Sequence, residues 1–95
     1  MKTHSNTFPI TFKEGQKDKM KVWNYRFENL ESLRNYLKIK MIQRVSIRAF
    51  VSGLNKMVTL KSYIAPNDLT EENYNWLSEG GSDEEKFIMV NYRRG

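Results

Sequence analysis

The sequence predicts an α+β fold: an antiparallel sheet with two helices packed on one face. Three observations point there. Short runs alternate apolar and polar residues, two other runs carry apolar residues at helical spacing, and the two kinds interleave along the chain. Ninety-five residues leave room for one core. A flexible N-terminus is expected over residues 1–6 and a single α+β domain over residues 7–95.

Phe8, Ile10 and Phe12 alternate with Pro9, Thr11 and Lys13, which predicts a first strand over residues 7–13. Pro9 has no N–H for a ladder bond, so this strand is placed at an edge. A charged loop around Gly15 follows. Residues 21–27 form a second strand, with Trp23, Tyr25 and Phe27 on one face and Val22, Asn24 and Arg26 on the other. The large rings carry much of the available burial free energy and are assigned to the core. Asn29 caps a helix whose stripe is Leu30, Leu33, Leu37 and Met41, with Arg34 and Lys38 on its outer side.

Residues 44–64 read as a hairpin. Gly53-Leu54 suits a two-residue turn that needs positive φ at its first position. Counting outward pairs Phe50 with Met57, Arg48 with Thr59, Ser46 with Lys61 and Arg44 with Tyr63. The opposite face then pairs Ala49 with Val58, Ile47 with Leu60 and Val45 with Ser62. Residues 65–67 turn the chain. Thr70 caps a second helix whose first-turn acids, Glu71 and Glu72, suit the positive end of the helix dipole. Leu69 is placed as a staple over Tyr74, Trp76 and Leu77 continue inward, and Gly80-Gly81 ends the helix. After an acidic loop over residues 82–86, residues 87–92 form a last strand. It is apolar on both faces and therefore central. Residues 93–95 are a basic tail.

From residue 21 onward the element order is the ferredoxin-like βαββαβ, with residues 7–13 as an extra N-terminal strand. The competing layout is a sheet of two hairpins with both helices on one side, in which residues 7–13 pair with the second strand.

The function classes narrow by exclusion. There is no cysteine, and His4 is the only histidine, so no zinc set or thiol nucleophile can form. The serines have no base, and the acids at 83–85 lack the spacing of a calcium loop. Acids rather than a lysine follow Gly80-Gly81-Ser82, which argues against a phosphate cradle. No apolar run is long enough for a membrane span, and residues 1–6 lack the core of a signal peptide. The expectation is a cytoplasmic, non-enzymatic protein without a cofactor.

The net charge of +5 is divided unevenly: residues 1–61 carry +9 and residues 62–95 carry −4. Such asymmetry suggests an anionic partner for the first part. The candidate binding residues are Arg26, Arg44, Arg48, Phe50, Lys61 and Tyr63, gathered by the expected register on the sheet face away from the helices. Aromatic and cationic groups on an open sheet are the means by which small βαββαβ modules stack bases and meet phosphates. Residues 25–30 resemble the first-strand motif of RNA-recognition motifs, but residues 55–63 lack the basic-Gly-aromatic pattern of their third strand. The chain is therefore not assigned to that family. Nucleic acid is the expected partner. The alternative is a protein partner, with the chain acting as an accessory or an inhibitor of the sort encoded by phages and mobile elements.

Overall fold

A computed structural model of the chain describes residues 9–15, 19–79 and 84–91. Its elements are β1 (Ile10–Glu14), β2 (Lys21–Tyr25), α1 (Leu30–Ile39), β3 (Arg44–Val51), β4 (Lys56–Ile64), α2 (Glu71–Ser78) and β5 (Glu84–Asn91), with a 3₁₀ turn at Pro66–Asp68. The expectations for residues 1–6, His4, Phe8, the Gly80-Gly81 helix stop and the basic tail lie outside the described residues.

The α+β class stands, but the ferredoxin-like order does not form. All five strands share one sheet in the order β2-β1-β5-β3-β4. β1 and β2 pair antiparallel as a hairpin, with Ile10 opposite Tyr25 and Phe12 opposite Trp23. β5 lies between the two hairpins, antiparallel to β3 and parallel to β1. The sheet is therefore mixed rather than antiparallel, and its layout is the two-hairpin one with β5 in the gap. Loop closure explains part of this, because the short β1–β2 connection pairs those strands at little entropic cost. Gly15 permits the connection at φ 115°, where an added Cβ would meet the Lys19 carbonyl. β1 is also not an edge. Pro9 precedes the first ladder residue, so its missing N–H removes no sheet bond.

One face of the sheet supplies Ile10, Phe12, Val45, Ile47, Ile88 and Val90 to a core shared with Leu30, Leu33 and Leu37 of α1 and Tyr74 and Leu77 of α2. Both helices therefore cover the same face. The rings of the second strand face this core, but only Phe27 is buried in it; Trp23 is partly buried and Tyr25 remains 49% exposed. Trp23 stacks on Phe12 at 5.4 Å between centroids, Phe27 is buried, and Tyr25 stacks on Tyr36 of α1 at 4.7 Å. The Trp23 indole donates to the Tyr36 hydroxyl at 2.9 Å.

The Asn29 side chain accepts from the Ser32 amide at 2.9 Å, which caps α1. The helix ends earlier than its stripe suggested. Met41 takes φ 62° and is 78% exposed, while Ile42 turns into the core. The Ile42 amide bonds the Leu37 carbonyl and the Met41 amide bonds the Lys38 carbonyl. This is the Schellman pattern, closed by the apolar pair Leu37 and Ile42. Thr70 and Asn73 cap α2 reciprocally, each side chain accepting from the other's amide at 3.1 Å. The Tyr74 hydroxyl donates to the Phe27 carbonyl at 2.9 Å. Burial, reinforced by the nearby Glu71 charge, holds that phenol above its ordinary pKa.

β5 begins at Glu84, inside the segment expected to be an acidic loop. Two of its charged residues are held by neighbours. Glu85 pairs with Lys13 at 3.1 Å, and Lys86 reaches the Trp76 carbonyl at 3.1 Å and lies over the Trp76 ring. Its central position is as expected.

Candidate functional site

The hairpin β3–β4 carries most of the residues singled out from the sequence, and its register decides where they point. Near the turn the expected pairs form: Phe50 with Met57, Ala49 with Val58 and Arg48 with Thr59. The turn itself differs. The ladder closes at Val51 and Lys56, and residues 52–55 form two overlapping turns, with the Leu54 amide on the Val51 carbonyl and the Asn55 amide on the Ser52 carbonyl. Asn55 takes the positive φ, at 51°, and Gly53 does not.

Beyond Thr59 the expected register fails. Ile47 pairs with Lys61 and Val45 with Ile64, so β4 carries two irregularities, each adding one residue relative to β3. Tyr63 lies within the second, at φ 59°, and its amide donates to the Ser46 hydroxyl at 3.0 Å. Because side chains alternate, each inserted residue exchanges the faces beyond it. Lys61 consequently shares the face of Ile47, on the helix side, rather than that of Ser46.

The six sequence-derived residues therefore do not form one cluster. Arg44, Arg48 and Phe50 remain together on the sheet face away from the helices. Arg44 is exposed and donates to the Gln43 carbonyl at 2.9 Å, whereas Arg48 and Phe50 are half-buried. Lys61 is diverted to the other side and Tyr63 sits in the irregular end of β4. Arg26 is exposed just past β2, at the far side of the sheet. Three strand spacings separate β2 from β3, or about 14 Å.

Pairing across the sheet assigns Lys13, Phe87 and Met89 to the face of Arg48. Sequence reasoning passed over Lys13 because the parallel β1–β5 contact that brings it there has no local signal. Phe87 is buried, with the Lys13 ammonium 4.2 Å from its ring centre. Lys13 is also committed to Glu85, so the middle of this face is partly neutralised from within.

Exposed apolar surface concentrates elsewhere. Every residue from 52 to 63 is exposed, and among them Leu54, Met57, Val58, Leu60 and Tyr63 are large and apolar. β4 is an edge strand, open on both faces along most of its length. No aspartate or glutamate occurs between residues 32 and 67, while Arg34, Lys38, Lys40, Arg44, Arg48, Lys56 and Lys61 do. Among the described residues, the hairpin thus joins a backbone edge without a partner strand, apolar side chains and positive charge without ion pairs. These are the elements of a contact surface for another macromolecule.

Among the described residues, no group of histidines, cysteines and acids could hold a metal ion, and no helix is long and apolar enough to cross a membrane. No protein-family model, curated protein or solved structure matches the chain.

Proposed function

We propose that this chain is a non-enzymatic binding protein that docks on a protein partner through the β3–β4 hairpin. One observation carries the reading: Met57, Val58, Leu60 and Tyr63 stand exposed on an edge strand that neither helix covers, with Leu54 exposed in the adjoining turn. Burying such groups gains roughly 25 cal/mol per Å² of apolar surface removed from water. Phosphate and sugar offer them little, since Met57, Val58 and Leu60 have no ring on which a base could stack.

The test is affinity capture from cells that express the chain, with nuclease treatment, using the wild type beside Leu60→Glu. Leu60 is 42% exposed, so the substitution leaves the core intact. A stoichiometric protein retained after nuclease and lost with Leu60→Glu is the expected result. A protein held equally by both chains would contradict it.

Nucleic acid is the second reading, favoured by the acid-free stretch between residues 32 and 67 and by Arg44, Arg48 and Phe50 sharing one face. It requires oligonucleotide affinity that falls steeply with salt, with the slope flattened by about one per arginine removed.

A further inference from the structure

We propose that β4 receives an extended, acidic segment of a protein partner as a sixth strand of the sheet. The segment carries acids at alternate positions, facing Lys56 and Lys61, and apolar residues between them, one of them facing Met57. The proposal rests on the hairpin being the docking surface and adds to it the chemistry and conformation of the occupant.

The edge provides the means of binding. As the last strand of the sheet, β4 has β3 on one side, and among the described residues no strand pairs with the other. Between Lys56 and Thr59 the ladder with β3 is regular, so a further strand can continue it there.

The two faces of this edge differ. Lys56 and Val58 lie opposite Val51 and Ala49, and Lys61 opposite Ile47, which puts both ammonium groups on the helix side. Met57 and Thr59 lie opposite Phe50 and Arg48 on the other side. A strand laid along β4 therefore meets Lys56 and Lys61 with one set of alternate residues and Met57 and Thr59 with the other. The nearest described acids across the sheet, Glu84 and Glu85, are on β5. That is two strand spacings from β4, about 10 Å, a full Debye length at 0.1 M salt. Glu85 is in addition engaged by Lys13.

A second copy of the chain fits this edge poorly. Two antiparallel β4 strands would bring Lys56 and Lys61 of each copy close to those of the other. Joining β4 to the other edge, β2, would add Lys21 to the same side of the balance. Like charges set across strands are destabilising. The lysines thus discourage self-pairing, and the same lysines favour a strand bearing acids.

The test uses random decapeptides displayed on phage, selected against the intact chain at low salt, with a single-stranded oligonucleotide as a separate arm. Selected peptides should alternate aspartate or glutamate with apolar residues. A synthetic peptide of that consensus should slow amide exchange within residues 56–63 and leave residues 21–25 unchanged. Lys56→Glu combined with Lys61→Glu, both on exposed side chains, should weaken this peptide by about tenfold and shift selection toward basic sequences. Enriched peptides that protect β4 but lack acids, or that ignore the double substitution, overturn the acidic occupant and leave the hairpin reading intact. Failure to enrich any peptide, protection outside β4, or response of β4 to the oligonucleotide alone overturns both.

Discussion

At Met41 the chain leaves α1 in a left-handed conformation that glycine normally supplies. The reason is the apolar stripe. After Leu37 the next buried side chain is Ile42, and reaching it requires the reversal that Met41 makes. The stripe Leu30, Leu33, Leu37 was legible in the sequence, but its fourth member was misread because Met41 and Ile42 are adjacent and both apolar. Met41 is largely exposed, so Met41→Gly removes backbone strain without removing packing. It should stabilise the fold by about 1 kcal/mol in urea denaturation. Tyr74 offers a second test. Its hydroxyl satisfies the Phe27 carbonyl, and Tyr74→Phe should cost about 1–3 kcal/mol by leaving that group unpaired. Because the folded pKa is raised, the unfolded chain ionises first as pH climbs past about 10 and then binds fewer protons. Stability from this group is thus complete below that pH and is lost as pH rises through the folded value. The alkaline decline in melting temperature should be smaller in Tyr74→Phe than in the wild type.

Among the elements, those governed by local chemistry were the readable ones. Asn29 and Thr70 cap the helices where their side chains predicted, because a cap depends on residues only three positions away. The hairpin β3–β4 was readable near its turn and not at its far end. Alternation carries the register outward only while the ladder is regular, and nothing in residues 60–63 announces the two added residues. Three of the six candidate residues, Arg44, Arg48 and Phe50, consequently keep their expected face, while Lys61 falls on the other face, Tyr63 in the irregular end of β4, and Arg26 at the far side of the sheet from its intended neighbours. The turn also reverses an expectation. Gly53 was assigned the positive φ that Asn55 takes, and an added Cβ at Gly53 meets nothing within 4 Å. Gly53→Ala should therefore stabilise the hairpin by about 0.4–1 kcal/mol through the unfolded state. Thermal denaturation checks the sign, since a glycine-requiring turn would make the same change destabilising.

Across the whole molecule, the α+β class and the central place of β5 followed from composition and from the apolar character of both faces of that strand. The strand order did not, because it turns on which of two long-range partners β5 chooses, and local periodicity is silent on that choice. Its consequence is that, with β5 in the gap between hairpins, β4 is left at an edge with its apolar and basic side chains exposed. Charge patterning singles out the first part of the chain, and exposure, which no periodicity supplies, distinguishes the edge strand β4 from the sheet face. The most direct measurement is hydrogen exchange of the intact chain, free and bound to the protein it co-purifies with. The partner should slow exchange chiefly within residues 56–63. Slowing confined to residues 21–25, or to the face of Arg44 and Arg48 with β4 unchanged, would contradict it.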